Sequence, residues 1–459
     1  MAITAKHHDN KYPKCLKNTQ IRYNHKNILI PHFKECQMIK NLRLALAFVF
    51  SVLIAPSVAF ESIDDALKNG VSKGDLIFYG NFIGGIKGTP TIVGNKNAGL
   101  ASYGYMGNMG YFLGNVGLGY TSGFYKNFRA SISFRAMASF YDSKKGSGSV
   151  REDFFNSNQA ALAESFFEYF DGDTNVKLGR IDIKNEWINT LSDAIWVRNR
   201  SLENLLIEAF WVYDFGRIDY YAMTNFVRPS EAGVYYAGAK YYFLDDKLTL
   251  KAYTYFSPPI FTAVGGNLQA DFDIGEKFAL QARSGGAYSF EHKNALQIVQ
   301  SSGKNDGGVF YLQGNFSMKN TFEIAAGYVL TGYKAGWGSL GILGDDISPF
   351  FVWGGRALKT QPNANLVYGK ISAKLKRFNF FVAYGATFYD AIESVANSVN
   401  AANVTQIRRV KSTQNEVNAG FEIWFSDNVI GVVNVANTHL DSYGVPTLTQ
   451  VNGGLRLAF

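Results

Sequence analysis

From residue 75 to its end the chain repeats one pattern, an apolar/polar alternation sustained over about ten residues, the length of a tilted strand that crosses a bilayer. The pattern predicts eighteen strands: 75–83, 111–122, 127–141, 161–170, 174–181, 205–214, 217–227, 234–243, 248–256, 266–274, 277–289, 308–316, 321–330, 365–376, 377–389, 414–425, 428–438 and 450–459. In 127–141, Phe128, Ala130, Ile132, Phe134, Ala136, Ala138 and Phe140 share one face, and Arg129, Ser131, Ser133, Arg135 and Ser139 share the other. In 266–274 Leu268, Ala270, Phe272 and Ile274 oppose Asn267, Gln269, Asp271 and Asp273. In 365–376 Gly369, Ile371, Ala373 and Leu375 oppose Lys370, Ser372, Lys374 and Lys376. Periodicity alone does not say which face is inside, because a soluble barrel turns its apolar face inward and a membrane barrel turns it outward.

The connections decide between the two. Every second one is short: 123–126, 171–173, 215–216, 244–247, 275–276, 317–320, the Lys376–Arg377 junction and 426–427. The alternate ones are long, at 84–110, 142–160, 182–204, 257–265, 290–307, 331–364, 390–413 and 439–449, with only 228–233 brief. Short turns at one end and long loops at the other are the asymmetry of an outer-membrane barrel, so the expected fold is an all-β, eighteen-stranded antiparallel transmembrane β-barrel over 75–459 with a polar lumen. Its final strand places Val451, Gly453, Leu455, Leu457 and Phe459 on one side, and this ending resembles the carboxyl-terminal assembly signal of bacterial outer-membrane proteins.

Composition agrees: 27 Tyr, 37 Phe and 46 Gly against 10 Pro favour strands, tight turns and the aromatic girdles of a membrane barrel. The net charge of +8 does not make a nucleic-acid surface, because residues 1–59 carry nine basic and two acidic residues and the remaining 36 basic and 35 acidic residues nearly cancel. Both cysteines, Cys15 and Cys36, also lie in that leader, which fits export to an oxidising compartment and removes thiolate chemistry from the body. From Met38, a basic stretch, the uncharged run 44–54 and a small-x-small site at Ser57 and Ala59 predict a cleavable signal peptide over 38–59, since the run is shorter than the roughly 20 residues of a spanning helix. Residues 1–37 are then expected to be a gene-start extension, and 60–74 a short periplasmic lead-in.

The segment 176–211 opens with Val-Lys-Leu-Gly-Arg and, after an insert, continues Arg-Asn-Arg-Ser-Leu-Glu-Asn-Leu-Leu-Ile-Glu-Ala-Phe. Together with the opening Glu-Ser-Ile-Asp-Asp-Ala-Leu-Lys-Asn-Gly and the strand count, it resembles the OprD-type porins and the related major porins of epsilonproteobacteria. The proline expected after the Gly-Arg is absent here. The resemblance implies that 182–204 folds into the channel, with Asp193, Arg198, Arg200 and Glu203 at the constriction, and that 331–364 is a second candidate to enter. It also implies a homotrimer. Strand parity assigns Arg129, Arg135, Arg217, Lys240, Lys251 and Arg283 to the lumen, where opposed charged walls would select among ions. The expected function is passive passage of small hydrophilic solutes or ions through the outer membrane, with lipid outside and no cofactor or nucleic acid. A surface adhesin is the alternative. Enzymatic readings do poorly, since His292 and His439 alone follow the leader and stand far apart, and the Asp171/Asp173 and Asp345-Asp346 pairs lack the spacing of a calcium loop.

Overall fold

A computed structural model describes residues 60–84, 109–143, 160–219, 223–292, 306–333, 336–343, 346–347, 358–359, 361–396, 405–440 and 448–459. The expected signal peptide, the extension before it, and most of 84–110, 142–160, 290–307 and 439–449 lie outside the described residues.

The strands are β1 (Val71–Gly84), β2 (Met109–Thr121), β3 (Phe128–Asp142), β4 in two pieces (Ala160–Leu162 and Ser165–Phe170), β5 (Thr174–Lys184), β6 (Asn189–Asn199), β7 (Leu205–Gly216), β8 (Val234–Phe243) and β9 (Leu248–Ser257). They continue as β10 (Phe261–Ile274), β11 (Phe278–Glu291), β12 (Gly307–Met318), β13 (Phe322–Thr331), β14 (Asn365–Leu375), β15 (Phe378–Ala396), β16 (Thr405–Ser426), β17 (Val429–Leu440) and β18 (Leu448–Ala458). Both pieces of β4 pair with β3, so they occupy one position in the sheet. Each strand runs antiparallel to its neighbours, and β1 pairs with β18, for instance Gly80 with Gly453, which closes the ring at eighteen strands. Closure leaves no free edge between first and last strands.

The outward face is the apolar one. Phe128, Ile132 and Phe134 are exposed on β3, Leu268, Phe272 and Ile274 on β10, and Ile371 and Leu375 on β14, while Arg135, Asn267 and Lys370 on the alternate faces are buried inside. No helix among the described residues is long and apolar enough to cross a membrane. The short α1 (Ile63–Lys68) begins at Ser62, whose hydroxyl accepts from the Asp65 amide. It docks under the first hairpin, where the Gly123 amide donates to the Ala66 carbonyl.

The turns at one end are tight because they contain residues with left-handed backbone: Lys126, Gly172, Asn204, Leu244–Asp246, Gly275, Asn320 and Lys376. At 171–173 the Asp171 carboxylate accepts from the Thr174 and Asp173 amides at 2.7 and 3.1 Å. These amides, Thr174's first, hold the Asp171 carboxyl below the usual carboxylate range.

Two sequence expectations change. Residues 182–204 are not a loop: 182–184 end β5, 189–199 form β6, and the tip between them is only 185–188. The described residues of 217–227 are not a strand but make isolated bridges, Phe215 with Val227 and Ile218 with Met223, within the connection 217–233. The reason is local. A bulge between Asp193 and Ala194 shifts the parity of β6, and its inward residues Ala194 and Trp196 are as apolar as its outward Ile195 and Val197. The strand count is unchanged, and the brief 228–233 becomes part of a 17-residue loop. The loop-end connections 185–188 and 258–260 are short, so the rhythm is less regular than expected.

Candidate functional site: the barrel interior

Three loop-end segments reach the inner wall. The tip 185–188 is buried, and Trp187 Nε1 donates to the Tyr253 hydroxyl of β9 at 2.9 Å. Trp187 also stands edge-on to Trp337 of the connection 332–364, with ring centroids 5.3 Å apart. Ile181, Ile183 and Ile188 join Tyr253, Tyr255 and Phe261 of the wall and Leu340, Leu343 and Ile347 of that connection in one apolar cluster. The third segment is 217–233: Met223 is buried against the inward residues Ile77, Tyr79, Tyr111, Leu113 and Met137 of β1–β3, and the Asp219 carbonyl accepts from Asn115 Nδ2 at 3.2 Å.

Glycine makes room for this packing. A Cβ on Gly265 would lie 2.6 Å from the Tyr253 ring, one on Gly285 2.5 Å from the Tyr311 hydroxyl, and one on Gly327 2.5 Å from the Tyr368 ring. Each tyrosine therefore lies flat over the glycine of the neighbouring strand, and the wall is recessed beneath the incoming segments.

The polar wall divides by side. On β8–β11, Lys240 and Lys251 are register partners, Lys251 also pairs with Asn267, and Arg283 pairs with Gln269. Glu186 enters from the tip: Lys251 Nζ lies 2.7 Å from Oε2, Asn267 Nδ2 donates to Oε1 at 2.8 Å, and Arg283 Nη2 lies 3.7 Å from Oε1. Arg283 is shared with Asp346 of the other segment, Nη1 to Oδ2 at 3.2 Å, and the Asp346 amide donates to the Glu186 carbonyl at 3.1 Å. Nine positions round the ring, the facing wall carries a row of amides: Asn434, Asn452 and Asn81 are consecutive register partners across β17, β18 and β1.

Of the expected constriction residues, Arg198 lies on the inner face of β6, its guanidinium 4.2 Å from the Trp196 ring centroid and in register with Glu208. Asp193 is on the other face and binds Arg180 at 2.7 Å, with Phe226 stacked on that guanidinium at 3.8 Å. Arg200 and Glu203 are exposed in the turn 200–204. Among the expected lumen residues, Arg129 pairs with Glu168, Arg135 with Asp75 at 3.0 Å, and Lys240, Lys251 and Arg283 face inward as parity implied. Arg217 is on the loop rather than a strand and binds Asp219 at 3.2 Å. Lys177, whose Nζ lies 4.3 Å over the Phe166 ring, Glu186 and Asp346 are inward charges that strand parity did not single out. Phe459 is 71% exposed, its backbone exchanging two hydrogen bonds with Gly74 at 2.8 and 2.9 Å and its ring covering that glycine. Among the described residues no group of three or more His, Cys, Asp or Glu is placed to hold a metal ion.

No protein-family model matches the chain, and no curated protein matches it. Its fold is that of OprD/Occ outer-membrane channels. It is similar to Pseudomonas aeruginosa OccK2 (OpdF), solved with glucuronate, at 13% identity and a TM-score of 0.62, covering 86% of this chain and 98% of that one. It is similar to P. aeruginosa OpdK, solved with vanillate, at 13% identity and 0.58, covering 86% and 99%. Acinetobacter baumannii OccAB1 gives 11% identity and 0.62, covering 88% and 99%.

Proposed function

We propose that this chain is an outer-membrane porin, a passive channel for small hydrophilic solutes, narrowed where the tip 185–188 meets the segment 336–347. The observation that carries the reading is the shared fastening of both segments to one cationic wall through Glu186, Arg283 and Asp346, inside a closed ring. Apolar side chains looking outward and charged ones inward suit a water-containing lumen. The glucuronate and vanillate held by two structures of this fold are carboxylates, and Lys177, Arg198, Lys240 and Lys251 form a cationic inner face that suits such solutes. The constriction reading now rests on 185–188 and Arg198 rather than on Asp193, Arg200 or Glu203.

Phe459 serves in this reading as the assembly signal and 38–59 as the export signal. The trimer rests on the sequence resemblance alone, and native mass spectrometry of the detergent-solubilised protein reads it directly. Conductance is the central test. Purified protein in a planar bilayer gives stable steps, which grow when the tip 185–188 is shortened; correctly folded protein that passes no current overturns the proposal.

A second role, contact with other cells, is favoured by one observation. Among the described residues, the strand ladder beyond Phe388 and Gln414 joins β15 to β16 alone, up to Ala396 and Thr405. Removing that hairpin abolishes surface attachment but spares conductance if both roles hold.

A further inference from the structure

Glu186 fastens the tip 185–188 to the wall and, through Arg283 and Asp346, ties the segment 336–347 to the same place. Through its own turn it fixes the tip 185–188. Its carbonyl accepts from the Asp346 amide, and its carboxylate shares Arg283 with the Asp346 carboxylate. It also spends its charge on the cationic wall: Lys251 at 2.7 Å and Arg283 at 3.7 Å are the groups it faces. The local charges are therefore two cations, Lys251 and Arg283, against two carboxylates, Glu186 and Asp346, with Lys240 beside them in register. The Glu186 side chain is 8% exposed and that of Arg283 20%, so both are largely covered, the carboxylate more than the guanidinium.

We propose that Glu186 sets the ion preference of this channel, acting as a built-in counter-ion that masks Lys251 and Arg283 from passing anions. Resting on the channel reading above, the assignment adds a specificity-determining residue that neither strand parity nor fold similarity supplies. A charge in a constriction matters because every permeating ion passes close to it. Charge masking differs from mere fastening in what it changes. Loss of fastening alters the size and noise of the current, whereas loss of masking alters which ion carries it.

The test measures reversal potential across a planar bilayer in a KCl gradient. Glu186→Gln keeps the shape and the bond from Asn267 and removes the charge. It raises the chloride-to-potassium permeability ratio by about threefold, the effect of one unit charge felt through water at several ångströms. Lys251→Gln lowers the ratio, and the double variant Glu186→Gln/Lys251→Gln returns it towards wild type. Glu186→Asp, which keeps the charge, leaves it near wild type. If Glu186→Gln fails to insert, Asp346→Asn removes a carboxylate from the same guanidinium and shifts the ratio in the same direction. An unchanged reversal potential in a conducting Glu186→Gln channel, or a double variant that stays at the single-variant value, overturns the inference and leaves the porin reading intact. A wild-type protein that folds and carries no current overturns both.

Discussion

Asp75 on β1 stands between two arginines from strands far apart in sequence, Arg135 of β3 at 3.0 Å and Arg456 of β18 at 3.2 Å. The three side chains lie inside the barrel at its seam, where the first strand must find the last. A buried carboxylate between two guanidiniums carries little net worth against a well-packed apolar substitute, but removing it leaves two neighbouring cations without the carboxylate between them.

Asp75→Ala should therefore destabilise the closed barrel by about 3 kcal/mol, the cost of breaking a buried ion pair from one side. The temperature at which the folded band on a semi-native gel converts to the unfolded one reports this. Asp75→Asn is expected to fall between the variant and the wild type, since it keeps hydrogen-bond acceptance without the charge.

Gly265→Ala tests the recessed wall. The added methyl meets the Tyr253 ring at 2.6 Å and must push it off its seat, breaking the bond from Trp187 Nε1. Overpacking of this kind costs about 1–3 kcal/mol. Near-ultraviolet circular dichroism should lose intensity in the tryptophan region. Gly314→Ala is the control, because nothing lies within 4 Å of a Cβ there.

Met223→Ala tests whether 217–233 is held inside the barrel. Truncating a buried methionine costs about 2–5 kcal/mol, and here the loss falls on the seating of one loop. The expected result is faster protease cleavage within 217–233 and a noisier current, with the thermal transition of the barrel little changed. Met223→Leu, which conserves the volume, should restore protection.

For Phe459→Ala, the backbone bonds to Gly74 survive and only the exposed ring is lost. If the ring serves assembly, the folded fraction in isolated outer membranes falls while protein refolded in detergent has wild-type stability. Equal effects in both settings would assign the ring to stability alone.

How far the sequence carried is clear from particular residues. Strand parity on β3, β9 and β11 placed Arg129, Arg135, Lys251 and Arg283 inside, because a barrel with an apolar exterior lets a two-residue period report which way a side chain points. Parity failed on β6, where the bulge at Asp193 reverses it and inward Trp196 is apolar because it faces packed protein rather than water. It failed also at 217–227, whose apolar residues imitate a strand although Met223 spends its side chain on the far wall. The pairing of Glu186 with Lys251 and Arg283 joins residues 65 and 97 positions apart and leaves no local trace; a charged residue directly before Trp187 in a tight tip was the single hint.

The interruption in β4 has a mechanical consequence. Between Leu162 and Ser165 the ladder to β3 is bridged by serines, Ser133 Oγ donating to the Glu164 carbonyl at 2.6 Å and the Ser133 amide to Ser165 Oγ at 3.1 Å. A hoop made of continuous slats resists any change in girth, but one with a jointed slat can flex at the joint without parting its fastenings. The joint lies next to β5, the strand whose upper end leaves the wall for the centre. Any widening or tightening of the bore should begin at that hydroxyl-stitched joint, two residues along β3 from the Arg135 that Asp75 holds.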